Sequence, residues 1–258
     1  MTTGRSSTFW VARQQTMVRL AGLATPLLIW EIASRSGLAY STFVPPFSKA
    51  LAEVVWLPIE SPLDFIMTGS EILFALLVTG ICGVGIGVVL ARNEILNALL
   101  GGIIWFVYAA PVVVFTTLFI VLFGVGPGVP VCLGVLSGIV FVIASTRDGV
   151  REVSRELINV GRVFGASALE LNLKIILPAA IPMIMAGLRV GVGRVLVGVI
   201  VGEFFASGDG IGYLIVKYGN DLDMVRVYAA VLWTILVSLL LSRAFAQVER
   251  TFVSWRTI

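Results

Sequence analysis

Apolar residues in this chain gather into long runs separated by short polar stretches. Runs able to cross roughly 30 Å of hydrocarbon fall at about 17–34, 66–90, 98–123, 129–146, 181–202 and 225–246. They predict an all-α polytopic membrane protein with six transmembrane helices. The polar stretch between the fourth and fifth runs is patterned too. Over 154–164, Leu157, Val160, Gly161 and Phe164 fall on one helical face, with Arg155, Glu156, Asn159 and Arg162 elsewhere. Gly165 is a natural stop, because glycine takes the left-handed cap conformation without penalty. Ser167 and Glu170, three residues apart, form a capping-box signature that starts a second short helix. There Leu169, Leu173 and Ile176 share a face until Pro178 closes the segment. The plan is a polar tail, 1–16, and one transmembrane domain, 17–258, carrying a helix-break-helix loop at 154–178.

Inside the runs, Gly83/Gly87, Gly134/Gly138, Gly187/Gly191 and Gly198/Gly202 repeat at four-residue spacing. Small residues one turn apart let helix backbones approach closely in lipid. That fits packing within the chain, a seam between two copies, or the lining of a pathway. Pro111 removes a backbone hydrogen bond from the third run and predicts a kink there. A signal peptide is the other reading of 17–34. No clear small-residue cleavage site follows it, so the run is kept as a span.

Composition strengthens the membrane assignment. Charged residues are 13% of 258 and hydrophobic ones 58%, against about 25% charged in a soluble domain; the mean hydropathy is +1.02. The net charge is +3 and the Lys and Arg residues are singly spaced, which argues against nucleic-acid binding and for loop bias. Twelve of them fall in the N-terminal tail (Arg5, Arg13, Arg19), the 91–97 and 147–180 loops, and the C-terminal tail (Arg243, Arg250, Arg256). Three, Arg35, Lys49 and Lys217, fall in the alternate loops. This asymmetry predicts that both termini and the 154–178 loop are cytoplasmic.

The chain has no histidine, which removes His-based triads, proton relays and metal sites. Cys82 and Cys132 lie in apolar runs and read as small buried hydrophobes. None of Lys49, Lys174 and Lys217 follows Gly or precedes Ser or Thr, so no phosphate-binding loop is present. No catalysis and no cofactor are expected here. The 147–180 stretch balances five basic residues against Asp148, Glu152, Glu156 and Glu170 and has one aromatic, Phe164. That balance favours a protein-docking surface over an amphipathic helix lying on lipid.

Five charges fall in or near the runs: Glu31, Glu71, Arg189, Arg194 and Glu203. Each costs about 2.5–3.5 kcal/mol at a span centre, so each should face protein or water. Glu31 and Glu203 stand near run ends and are expected to reach the interface. Arg189 and Arg194 are five residues apart, hence about 140° apart around a helix, and cannot line one pathway together. One is expected to pair within the protein, with Glu71 as candidate partner. The other is expected to face the route of an anionic solute.

The loop carries one further arrangement: Gly165, nine residues, then Ile175, Ile176, Leu177 and Pro178. It resembles the EAA loop of binding-protein-dependent ABC importer permeases, which reads Glu-Ala-Ala, three residues, Gly, nine residues, Ile, one residue, Leu-Pro. Asn159, Val160 and Gly161 stand where Glu-Ala-Ala is usual. Val44 to Pro46, Ala110 and Pro111, Phe123 to Gly126, Pro182, Gly187, Arg189, Gly193, Arg194, Glu203 and Gly208 to Gly212 are similar to the nitrate/sulfonate/taurine subgroup. The likeness covers nearly everything from residue 41 onward.

The resemblance implies the type I importer fold in a bacterial cytoplasmic (inner) membrane, in contact with lipid. It implies a second permease copy forming a homodimer, two copies of a cytoplasmic ABC ATPase holding ATP and Mg, and an extracytoplasmic substrate-binding protein. It makes 154–178 the coupling element. Gly165 would form the bend, Ala166 and Ser167 would allow close approach, and Phe164, Leu169 and Glu170 would be contacts, with Leu177 and Pro178 completing the motif. The implied solute is a small organic anion such as a sulfonate or taurine, or nitrate; pyrimidines, riboflavin and aromatic acids are alternatives within the family. An ion-coupled secondary transporter or channel is the alternative of another class, and it leaves the loop unexplained.

Overall fold

The computed structural model of the chain describes residues 4–37 and 43–253. Arg256, Ser41 and the first three residues lie outside them, and the side chains of Arg5, Arg13 and Arg19 are likewise outside. The described residues are helical, without strands. In chain order the helices are α1 Gly4–Arg35, α2 Phe47–Glu60, α3 Pro62–Arg92, α4 Glu94–Ala109, α5 Val114–Phe123, α6 Gly128–Arg151, α7 Arg155–Val163, α8 Ala168–Glu170, α9 Leu177–Ala206, α10 Ile211–Asn220 and α11 Met224–Val253. A π-helical turn, Leu171–Ile176, joins α8 to α9.

Among the described residues four helices are long and apolar enough to cross a membrane: α3, α6, the continuous Ala168–Ala206 helix, and α11. The pair α4 and α5, bent by 108°, makes a fifth if taken as one span. The multi-span all-α architecture stands, with four or five spans supported against the six expected. The run at 98–123 is divided in two by its proline, and the run at 17–34 lies within α1. The short helices α2 and α10 in the connecting loops had no sequence expectation.

The centre of the bundle is α6 packed antiparallel on α9, with α3 beside it and parallel to α6. The glycine pairs explain how they meet. A Cβ on Gly83 would lie 2.8 Å from Val142 Cγ1, and one on Gly134 would lie 2.7 Å from Val199 Cγ2. Gly87 meets Thr146, Gly138 meets Val195, Gly187 meets Ser145, Gly191 meets Val142, Gly198 meets the Leu133 carbonyl and Gly202 meets Pro130. All four pairs therefore pack within the chain, where backbone approach supplies the van der Waals contact that lipid-exposed apolar burial does not.

At the end of the bundle holding the 206–223 loop, Leu57, Ile72, Val199, Ile211, Leu214 and Ala230 close a core shared by α2, α3, α9, α10 and α11. Arg226 pins α11 to α2 there, bonding Glu53 at 3.1 Å and Glu60 at 3.0 Å. At the other end Val150, Ile176, Ala180 and Ile184 form a second core with Val84, Val88 and Ile158. Cys132 is half-buried, but Cys82 is exposed on the outer face of α3, which corrects its expected burial. Cys82 is turned about 100° from Gly83 around α3, off the packing face.

Candidate functional site: a helix-break-helix element and an arginine-lined pocket

Ser154 caps α7 by accepting a hydrogen bond from the Leu157 amide at 3.3 Å. The helix ends at Gly165, whose φ is +78°, in the left-handed region. The Gly165 amide donates to the Arg162 carbonyl at 2.9 Å and the Ala166 amide to the Gly161 carbonyl at 3.0 Å. These two bonds make a Schellman cap, which reverses the chain within two residues. Ser167 then opens α8 with a reciprocal capping box: its hydroxyl accepts from the Glu170 amide at 3.3 Å, and its amide donates to Glu170 Oε2 at 3.0 Å. Lys174 bonds Glu170 Oε1 at 2.9 Å. This segment precedes the apolar run at 181–202, and Lys174 with the Ser167 donors lowers the Glu170 carboxyl to about 2.

The element has an inner and an outer face. Inside, Gly161 is buried against Leu171 and Ile175, where a Cβ would come within 2.7 Å of Leu171 Cδ2. Ile158 and Leu177 pack into the adjoining core. Outside, Val163 and Phe164 are each 86% exposed and Leu169 66% exposed, with Val160 and Leu173 exposed beside them. Ala166 and Ser167 lie between these side chains at the apex, and no heavy atom would stand within 4 Å of a Cβ on Gly165. These apolar side chains form one outward face around the ordered break.

Two expectations for this segment need correction. Pro178 does not close it, because α8, the π-helical turn and α9 form a single helix, Ala168–Ala206, with Pro178 in its course. The Leu177 amide donates to the Asn172 carbonyl, five residues back. The wider turn gives the ring of Pro178 the room that an α-turn denies it. The same extra residue shifts the helical register. Leu169 and Leu173 point outward while Ile176 is buried, so the three do not share a face.

A second feature lies where the third run breaks. α4 stops at Ala109, Ala110 is extended, and α5 starts at Val114, so Pro111 marks a full interruption rather than a kink. Pro111 and Arg194 line one cavity of about 420 Å³, together with Tyr108, Ser137, Phe141 and Val197. The Arg194 guanidinium stands 4.8 Å from the centroid of the Phe141 ring, a cation–π contact. No carboxylate pairs with it among the described residues. Arg189 points elsewhere and makes a salt bridge to Glu249 of α11. The two arginines thus diverge as helix geometry requires, and neither pairs with Glu71.

The match that decides the family covers most of these elements. Residues 83–253 fit the model described as "Binding-protein-dependent transport system inner membrane component". The chain belongs to this family. This permease is similar to the taurine transport system permease protein TauC of Escherichia coli, 24% identical over 255 residues, covering 95% of the chain and 92% of the relative. It is also similar to the bicarbonate transport system permease protein CmpB of Synechococcus elongatus, 26% identical over 246 residues, covering 91% and 88% respectively. Among solved structures, an inward-facing form of the MetNI methionine ABC transporter aligns with a TM-score of 0.63 and 17% identity, over 76% of this permease and 96% of that chain. The fold is that of a type I importer permease.

The remaining charges in the permease have partners of their own, and one of them, Glu203, departs from expectation. Glu31, near a run end, bonds Arg35 at 2.6 Å and the Ser48 hydroxyl at 2.8 Å, holding α1 to the start of α2. Glu203 does not reach an interface: it is 1% exposed. It accepts hydrogen bonds from Thr68 Oγ1 at 2.5 Å and the Gly212 amide at 2.6 Å, and the Glu71 carboxyl is beside it. The signal for this contact was in the sequence as Gly210 and Gly212, a few residues beyond Glu203. A Cβ at either would overlap the Glu203 side chain, so only glycine lets that loop wrap the carboxyl.

Proposed function

We propose that this permease is the membrane-spanning subunit of an ATP-driven importer and that the 154–178 element is where a separate cytoplasmic ATPase docks. The observation that carries the proposal is the outward apolar face of Val163, Phe164 and Leu169 around the capped break at Gly165. A two-fold pair of permeases, an ATPase on each, and an extracytoplasmic binding protein complete the assembly. The orientation has both termini and the docking element in the cytoplasm of a bacterium, following the Lys and Arg asymmetry. ATP and Mg belong to the ATPase.

The solute is a small anion delivered by the binding protein, of the sulfonate, taurine or nitrate kind. Support comes from Arg194, a guanidinium without a carboxylate partner among the described residues, lining a cavity with Pro111. Relatives named for taurine and bicarbonate transport fit a solute that bears an anionic group. Co-purification in mild detergent tests the assembly: an ATPase should be retained, and uptake into vesicles should require ATP. Uptake driven by a proton or sodium gradient with no ATPase retained would overturn it. For the solute, Arg194→Gln should abolish uptake of the anion while leaving the ATPase bound, and intact uptake would remove Arg194 from the pathway.

A further inference from the structure

Glu71 on α3 and Glu203 on α9 bring two carboxyl groups together in the interior. Glu203 is supplied with donors: Thr68 Oγ1 at 2.5 Å and the Gly212 amide at 2.6 Å. The Thr68 hydroxyl proton is committed to Glu203, since its oxygen accepts from the Ile211 amide at 2.8 Å. Glu71 is the opposite case. It is 4% exposed, and neither of its oxygens meets an N–H or O–H donor among the described residues. Glu71 lies one turn along α3 from Thr68, on the same face, and Thr68 bonds Glu203, so the Glu203 carboxyl is the group Glu71 stands beside.

Two ionised carboxylates in contact away from water would repel each other with nothing to offset the repulsion. The surrounding charges do not supply it. Asp64 of α3 and Asp209 of the loop add negative charge, and Lys217 of α10 acts on Asp64 and stands over the Tyr218 ring. One donor is missing from the cluster, and a protonated carboxyl provides one. Glu203, with its two donors, is suited to be the ionised member, and Glu71 to be the acid.

We propose that Glu71 is a neutral carboxylic acid whose O–H donates to Glu203, so that the pair binds a single proton and carries a single negative charge. Thr68, Glu71, Glu203 and the amides of Ile211 and Gly212 then form one closed network, and the Asp64 carboxylate accepts from the Gly210 amide at 2.8 Å beside it. The shared proton is what fastens the Ser207–Gly212 segment to α3. Replacing it by an ionised Glu71 would release that segment.

The test uses the full-length permease in lipid nanodiscs, without ATPase or binding protein, so its outcome is independent of the proposed transport role. Wild type at pH 8 should show the infrared C=O stretch of a protonated carboxyl, and Glu71→Gln should remove it. Glu71→Gln keeps a donor in place of the O–H and should hold the thermal midpoint close to that of wild type. Glu71→Ala and Glu203→Gln should each lower the midpoint by roughly 5 °C or more. The midpoint should not change between sodium, potassium and choline chloride. The proposal is overturned by absence of the band in wild type, or by Glu71→Gln falling as far as Glu71→Ala. It is equally overturned by a midpoint that rises with sodium or potassium, since a metal cation would then occupy the pair.

Discussion

Replacing Gly165 isolates the backbone of the proposed docking element from everything else in the permease. Its φ of +78° is a conformation that an L-residue adopts at a cost of about 1–2 kcal/mol. No atom lies within 4 Å of a Cβ at this position, so alanine adds no clash and the cost is conformational alone. The inner face, Gly161, Ile158 and Leu177, is untouched, so the thermal midpoint of the free permease should stay where it is. What changes is the population of the Schellman-capped break that presents Phe164 and Leu169. A cost of about 1–2 kcal/mol reduces the equilibrium constant for that break by roughly 5–30-fold, which is the upper limit on the loss of ATPase affinity. Valine should weaken docking further than alanine because it is β-branched, and asparagine less because it enters the left-handed region more readily. Titrating purified ATPase against each variant in nanodiscs measures the effect. If Gly165→Val binds the ATPase as tightly as wild type, the capped break is not what the ATPase recognises, and the proposed docking site is wrong.

Four other substitutions probe separate links. Phe164→Ser should leave permease stability unchanged, because the ring touches little of its own chain, while reducing ATPase retention in a pull-down. Gly134→Val drives a side chain into Val199 and Ala75 and should destabilise the permease by about 1–3 kcal/mol, whereas Gly85→Ala, with open space around it, should not; thermal unfolding separates them. Ser167→Ala removes the cap of α8 and should cost the element about 1 kcal/mol, read as weaker ATPase binding. Because the Glu170 carboxyl is lowered to about 2, the stabilisation it gives the cap is present above the ordinary carboxylate range and is lost only as pH falls towards that value. The difference between Ser167→Ala and wild type should therefore be the same at pH 8 and pH 5.5.

The helix-break-helix element was legible in the sequence because its signals are local. Gly165, Ser154 and the Ser167–Glu170 pair each act within a few residues, and each forms the cap its type predicts. The glycine spacing identified the packing faces, though only the structure shows α3, α6 and α9 meeting on them. Long-range partners were not legible. Arg189 is 60 residues from Glu249 and Glu203 is 135 from Thr68, and nothing in spacing along one helix states which side of another it will face. The effect of Pro178 was misjudged for a physical reason: a proline ends a helix only when the turn before it is an α-turn, and here that turn is π-helical.

The same π-helical turn carries a mechanical consequence. From Ala168 at the outer break to Ala206 beside Glu203, the backbone is one helix of 39 residues. At about 1.5 Å per residue it is a rod of roughly 58 Å. A rod of that length tilting by about 5° around its midpoint moves its two tips by roughly 2.5 Å in opposite directions. The tip that carries the Ser167–Glu170 cap and the tip that carries the carboxyl pair are therefore parts of a single beam. Its departures from regular α-helical bonding are the π-helical turn and Pro182, and both lie in the half nearer Ala168. Beyond them the beam is stiff, so force applied at the cap is absorbed within its first turns or delivered whole at the far tip.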